Sequence, residues 1–378
     1  MLEQYRNEID EIDKELVKLF EKRMDVCKKV GEYKKEHGLK IFVPEREQTI
    51  VEKRTGQTQN PVYRPYVAEF FEGLMQISRR LQKTVLGKTE SVPFAPETVK
   101  QENLRVVYPG TAGSYSGEAL KKYFPAAKEV INVPTFAEVA QMVARGDADF
   151  GVLPFENNSS GAIGDTLDLM MSEQVYIVGE TYLDIRHCLL GTQDAEISDI
   201  EKLYSHQQGF AQSRTFLAEL GDRVLCTPMD NTAFAAQYVA NCGDKHKGAI
   251  ASRLAAETFG LKILKENIHE NDGNTTRFVV IANRLMQSEA CDKISGAFVA
   301  RHKSGALCDV LALFAKNNIN LLHIESRPRK GKDFSYLFYI DFAGNLSSEN
   351  VKAVISGMEE AGADFYLLGH YQTQKQEK

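Results

Sequence analysis

At 378 residues the chain is long enough for two or three domains that each bury a core. Its 43% hydrophobic and 26% charged residues are ordinary for a soluble globular protein, and a net charge of −6 argues against a nucleic-acid scaffold. The six cysteines form no CxxC pair and no Cys/His cluster with zinc spacing, and no apolar run approaches the ~20 residues of a membrane span. The acidic, helical start has no signal-peptide pattern, so the expectation is a cytoplasmic protein with reduced thiols.

From Leu2 to Glu36 the sequence has no Pro and one Gly, and apolar residues recur at Tyr5, Ile9, Ile12, Leu16, Leu19, Val26, Val30 and Tyr33. That spacing of four and three predicts one long helix with a heptad seam. Arg23 stands where the seam would place a leucine. A lone Arg there would snorkel at the seam's edge. Lys34 lies 11 residues on, close to three turns, so both cations project from nearly the same face. Their backbones are ~16 Å apart at ~1.5 Å rise per residue, and two long side chains can grip a small anion between them. Pro44 and Gly56 bracket a second helix with Arg46 and Glu47 in its first turn. A third runs from beyond Pro61 to about Leu86, with Ser78 and Gln82 four apart on one face. These helices carry cations, a carboxylate and an amide, with no nucleophile–base pair and no metal cluster. Arg forks bind carboxylates and fixed donors stabilise charge developing on an oxygen, so the set suits a reaction without covalent catalysis.

Carrying these residues, 1–86 resemble the all-helical chorismate mutases, which rearrange chorismate to prephenate. The resemblance implies a site of Arg6, Arg23, Lys34, Arg46, Glu47, Ser78 and Gln82. In it arginines clamp two carboxylates, Lys34 and Gln82 face the ether oxygen of the breaking bond, and Glu47 takes the substrate hydroxyl. Val43 stands where the family often has Asp. Arg6 precedes Lys34 by 28 residues. That is ~42 Å along a straight helix, too far for both to touch one small substrate. An antiparallel partner would bring Arg6 of one chain to Lys34 of the other, so a homodimer or higher homo-oligomer is expected.

A polar stretch with two prolines follows, and residues 89–103 read as a linker. Short apolar runs then alternate with helical patterns ("LRVVYP", "FAEVAQMVARG", "DFGVLP", "IGDTLDLMMSE", "VYIVGETYL"), and a second such series begins near Lys202. This βα alternation predicts two lobes with a cleft between them, a common ligand position. "GTAGSYSGEAL" is a Gly/Ser loop opening a helix, suited to holding an anion on backbone amides. "PFENNSSGAI", "YSHQQ" and "GNTTRFVVIA" place further polar groups at strand ends, and each alone is turn chemistry.

In order along the chain, "ENxSSGAI" and "TRF" make residues 104–285 resemble prephenate dehydratase, which converts prephenate to phenylpyruvate with loss of carbon dioxide and water. The resemblance implies Thr276 as the hydrogen-bond donor to the departing hydroxide. Gly113, Ser114, Glu156, Asn157, Ser160, His206, Gln208 and Arg277 are the expected substrate-binding residues. Within that set Arg277 and the Gly113–Ser114 loop are assigned to substrate anchoring, with Glu156 or His206 relaying a proton to Thr276.

Residues 295–372 read as β-α-β-β-α-β, a ferredoxin-like order. "GALCDVL" and "ESRP" resemble the ACT-domain signatures of phenylalanine-regulated dehydratases, with Cys308 in place of the usual Val. The resemblance implies a phenylalanine site at a dimer interface, with Gly305, Ala306, Leu307, Glu325 and Ser326 as its candidates. A structural dimerisation domain is the plainer alternative.

The expected fold class is multidomain. An all-α mutase domain (1–88) precedes a two-lobed α/β dehydratase domain like the periplasmic binding proteins (104–285) and an α+β ferredoxin-like ACT domain (293–373). Chorismate, prephenate and phenylalanine are the expected small molecules; no cofactor, metal, nucleic acid or membrane is expected. The opposing class is a non-catalytic amino-acid-binding regulator on the same domains. It should carry a DNA-reading element, and the acidic front helices offer none. A prephenate dehydrogenase fused to a mutase would need a dinucleotide fingerprint after a strand, which is absent.

Overall fold

The computed structural model describes residues 1–37, 44–86, 104–159, 161–173, 175–221, 223–271, 273–285, 288–300, 303–328 and 336–374. Within the helices, the side chains at 44, 45, 47, 48, 72, 76, 79, 80 and 83–86 lie outside that description, as do Val43, Ser160 and the expected linker. The chain divides into two compact units, Met1–Pro93 and Phe94–Lys378.

The first unit comprises α1 (Leu2–Glu36), α2 (Pro44–Gly56) and α3 (Arg64–Leu86). Periodicity and punctuation place all three: Pro44 opens α2, Gly56 closes it, and Asn60 accepts from the Val62 N–H ahead of α3. The last turns of α1 press on α3. A Cβ on buried Gly31 would lie 3.2 Å from Gln82 Cα, so the missing side chain sets how closely the helices approach. Along much of its length, by contrast, the α1 seam is bare. Tyr5, Ile9, Ile12, Leu16 and Leu19 are 47–64% exposed, a continuous apolar stripe with no cover from its own chain among the described residues.

The second unit begins with β1 (Arg105–Pro109), α4 (Tyr115–Tyr123), β2 (Glu129–Val133), α5 (Phe136–Arg145), β3 (Phe150–Asn157), β4 (Gly161–Ala162), α6 (Gly164–Ser172) and β5 (Tyr176–Asp184). The chain then crosses to β6 (Cys188–Gly191), β7 (Lys202–Ser205), α7 (Gln207–Ala211), α8 (Arg214–Leu220), β8 (Leu225–Pro228), α9 (Thr232–Cys242), β9 (Lys247–Ala251), α10 (Arg253–Phe259) and β10 (Lys262–Lys265). It returns as β11 (Thr275–Ala282), then finishes with β12 (Lys293–Val299), α11 (Ala306–Lys316), β13 (Leu321–Pro328), β14 (Tyr336–Ala343), α12 (Glu349–Glu360) and β15 (Asp364–Tyr371).

Two sheets result. One is five-stranded, in the order β10-β6-β9-β7-β8. The other has ten strands, β13-β14-β12-β15-β5-β11-β3-β1-β2 with β4 on β3, and so runs without a break from the first lobe into the C-terminal part. The join is narrow. β15 meets β5 in parallel at Gly369–Ile177, where a Cβ would lie 2.5 Å from Ile177 O, so only glycine fits. β11 lies antiparallel between β3 and β5, and the apolar run Phe278–Ala282 is fully buried there. Phe278 and Val280 pack on the α4 side, Val279 and Ile281 on the side of α5, α6 and the C-terminal strands.

Within "FAQSRTFLAEL", a run of the second series, the chain forms two short helices, α7 and α8, parted at Ser213, a poor helix-interior residue. β2 has no sequence signal because its residues are exposed or half-buried and do not alternate cleanly.

Candidate active sites

In the first unit Arg23 does not snorkel outward. Its Nη1 donates to Ser78 Oγ on α3 and lies 3.3 Å from Leu74 O and 3.8 Å from Cys27 Sγ. Ser78 in turn donates to Leu74 O at 2.6 Å, so its lone pairs are what Arg23 meets. Gln82, one turn on, is 7% exposed, and its Oε1 is buried with no hydrogen-bond partner among the described residues. A buried amide end left open marks a place where a ligand group can bind. Lys34 is half-buried on α1, while Arg6 and Arg46 are exposed. The Glu47 side chain lies outside the described residues. Within one chain the structure therefore joins Arg23 to Ser78 and seats Gln82 against Gly31. Arg6 is near the opposite end of the 35-residue α1.

In the second unit the centre is Thr276, at the start of β11. In register it faces Asn157, the last residue of β3. Asn157 Nδ2 donates to Thr276 Oγ1 at 2.9 Å and to Asn274 Oδ1 at 2.8 Å, and all three residues are buried. A hydroxyl that accepts from an amide has its own proton left to give, and the amide polarises it for that purpose. Gly113 stands at φ 80, and a Cβ there would lie 2.9 Å from Ala255 Cα. Its carbonyl accepts from Ser252 at 3.0 Å, so this loop is where the two lobes touch. Ser114 caps α4 by accepting from Gly117 N–H. His206 caps α7, its Nδ1 accepting from Gln208 N–H at 3.2 Å; His206 and Gln208 are both exposed.

Two expectations are corrected. Arg277 follows Thr276 on the strand and so points to the other face. Its Nε donates to Glu180 at 2.8 Å, its Nη1 to Asp341 at 2.6 Å and its Nη2 to Tyr371 Oη at 2.7 Å, with only 5% of the side chain exposed. Lys293 joins the same cluster, 2.8 Å from Glu180. Although burial works against it, the Arg277 and Lys293 charges hold the Asp341 carboxyl below the usual carboxylate range. Breaking one partner of such a buried set costs about 3–5 kcal/mol, so Arg277 is a structural cation and not a substrate anchor.

Glu156 is the second correction. A bulge leaves Phe155 unpaired, so Glu156 falls opposite Arg277 and only Asn157 opposite Thr276. The Glu156 carboxylate lies 3.4 Å from His323 Nδ1 and 3.6 Å from Arg277 Nη1. It faces the C-terminal strands, which removes it as the proton relay to Thr276. Asn274 and His323 are the neighbours that sequence reasoning missed. Asn274 sits in the quoted "GNTTRFVVIA" cluster, and the signal for His323 is a single His inside the apolar stretch of β13.

The Thr275 hydroxyl does not join the Thr276–Asn157 pair. Its Oγ1 donates to Asp184 at 2.9 Å and lines a cavity of about 480 Å³ with Tyr115, Glu118, Arg186 and Arg253. In the C-terminal part Gly305 precedes α11 in the left-handed region at φ 81, Ala306 is buried, and Leu307 packs on the core beneath α11 and α12. Glu325 is half-buried and Ser326 exposed on β13, an edge strand.

Comparison with known proteins agrees with this layout. Residues 5–83 match the family described as chorismate mutase type II, residues 106–285 prephenate dehydratase, and residues 297–358 the ACT domain. A bifunctional chorismate mutase/prephenate dehydratase of Aquifex aeolicus is 33% identical, with 98% of this chain and 97% of that protein covered. Arogenate dehydratase 2 of Petunia hybrida is 35% identical, covering 71% of each chain. A crystal structure of prephenate dehydratase in complex with L-Phe, from Arthrobacter aurescens, superposes with a TM-score of 0.65 at 27% identity, covering 71% of this chain and 90% of that one.

Proposed function

Because the chain belongs to the bifunctional chorismate mutase/prephenate dehydratase family, we propose that its two units carry successive reactions: the first rearranges chorismate to prephenate, the second converts prephenate to phenylpyruvate, carbon dioxide and water. The observation that carries the dehydratase assignment is the Asn157–Thr276 hydrogen bond, which leaves the Thr276 proton to be donated. Loss of the ring carboxylate supplies the electron pair, the ring becomes aromatic, and the pair leaves with hydroxide. The kinetic obstacle is that poor leaving group. A fixed donor at the leaving oxygen meets it without reorganising during the reaction. The Gly113–Ser114 loop, where the lobes touch, is assigned to the substrate's side-chain carboxylate.

In the mutase site Arg23, held by Ser78, and the half-buried Lys34 are assigned to substrate carboxylates and the ether oxygen, with Gln82 as a second donor once its amide is turned to present Nε2 at the open end. Arg6 is assigned to the site of a partner chain. The bare apolar seam of α1 supports that arrangement, since an antiparallel copy would cover it. The C-terminal part is assigned as the phenylalanine sensor, and the cytoplasm as the location.

Chorismate added to the pure protein should yield phenylpyruvate with no cofactor supplied; absence of product would overturn the bifunctional reading. A mixing experiment tests the shared site. Arg6→Ala and Lys34→Ala proteins should each be nearly inactive as mutases. After subunit exchange they should regain activity, because one site of each heterodimer carries both defects and the other carries neither. Demonstrated exchange without recovery would refute it.

A further inference from the structure

β13 carries the candidate effector residues Glu325 and Ser326. Two residues earlier on the same strand, His323 turns toward the dehydratase lobe, with Nδ1 3.4 Å from Glu156 Oε1. Further along, Arg327 Nη1 lies 3.9 Å from Asp168 of α6. The effector strand thus grips the lobe on both sides of the β3–β4 turn, through side chains of opposite charge.

Glu156 is next in sequence to Asn157. Both are pinned in the same short ladder, Glu156 paired with Ala162 and Asn157 with Gly161. As neighbours on a strand they face opposite ways, one toward β13 and the other toward Thr276, and the bulge at Phe155 sets the register that places Asn157 against Thr276. A rotation of this segment that carried the Glu156 carboxylate with His323 would swing the Asn157 amide off the Thr276 hydroxyl.

We propose that His323 is a positioning residue for the dehydratase: by holding Glu156 it fixes Asn157, whose amide aims the Thr276 hydroxyl, and it gives the effector strand a direct hold on turnover. This rests on the reading of Thr276 as the donor. The charged groups facing the pair are Arg277 from β11 and Asp341 from β14, the register partner of His323.

The contact with Glu156 raises the His323 pKa, against burial, and Asp341 adds to the rise; the same contact lowers that of Glu156. His323 Nε2 is buried without a hydrogen-bond partner among the described residues, which works against the charged ring; the two nearby carboxylates outweigh it. With His323 raised, the charged pair is complete below the ordinary histidine pKa and is lost as pH climbs through the raised value. On the acid side it is lost as pH falls through the lowered Glu156 value.

The test uses the full chain and supplied prephenate, with His323→Gln, Glu156→Gln, the double variant and Thr276→Val. Calorimetric phenylalanine binding serves as the check that the C-terminal part is folded. His323→Gln should lower dehydratase kcat by about tenfold or more with KM within about twofold of the parent, since aim and not substrate binding is lost. Glu156→Gln should match it, and the double variant should be no worse than either single. The parent's kcat should decline on the alkaline side toward the variant's value, a limb that His323→Gln lacks. Bound phenylalanine should change kcat in His323→Gln by less than about twofold and by clearly less than it changes the parent's kcat under the same conditions. Parental kcat, alkaline limb and phenylalanine response in a folded His323→Gln, with Thr276→Val inactive, would overturn this inference alone. Thr276→Val turning over at the parent rate would overturn the donor reading, and the inference with it.

Discussion

Replacing Thr276 with Val should cut prephenate turnover by roughly a hundredfold or more while leaving the fold in place. Valine keeps the β-branched shape at a strand position and removes only the hydroxyl. Asn157 is not orphaned by the change, because its amide still donates to Asn274 Oδ1 at 2.8 Å and lies 3.3 Å from Thr275 O. The stability loss is therefore that of one ordinary hydrogen bond, about 1 kcal/mol. Thr276→Ser should retain a good part of the rate, since a hydroxyl still accepts from Asn157. Thr275→Val is the matched control, for that hydroxyl serves Asp184 and does not touch Asn157 Nδ2. Mutase activity should persist in all three. Steady-state rates on supplied prephenate decide the matter: a Thr276→Val protein as fast as the parent would reduce "NTTRF" to turn chemistry.

Arg23→Ala should be as damaging to the other reaction, lowering mutase turnover by about 10²–10³-fold, the usual consequence of deleting one preorganised donor. The surroundings tolerate the loss. Ser78 keeps its bond to Leu74 O, and Arg23 is half-buried at a helix–helix seam and not sealed in a core. Dehydratase activity on supplied prephenate should be unchanged. A rate assay on chorismate that found near-normal turnover would return Arg23 to the status of a surface cation.

The helical unit was legible almost to the residue, because heptad spacing, Pro44 and Gly56 act locally. The C-terminal β-α-β-β-α-β order was legible for the same reason. What the sequence did not carry was which strands and which distant partners lie on each face of the sheet. Thr276 and Arg277 are neighbours in one polar cluster, and reading them as one site is natural. Only the pairing of β11 between β3 and β5, with Phe155 bulged, reveals that Thr276 meets Asn157 while Arg277 meets Glu180, Asp341 and Tyr371. Those partners come from residues 64 to 97 positions away in sequence, beyond any local pattern. Glu156 is a parallel case, since its partners His323 and Arg277 are likewise distant in sequence.

The sheet that continues through Gly369 has a bearing on how this kind of chain can be rebuilt. In sequence the sensor looks detachable, a terminal segment that could be cut away or exchanged for another. Physically it is half of a wall. Excision near residue 288 would leave Arg277 with Glu180 but without Asp341 and Tyr371, and would uncover the apolar face that Ala297, Tyr339, Leu368 and Tyr371 now close. A transplanted sensor would have to supply a matching carboxylate, a phenol and a glycine at the joining strand. Boundaries that divide the gene cleanly therefore do not divide the stability, and any graft must repair charge and packing on the face it inherits.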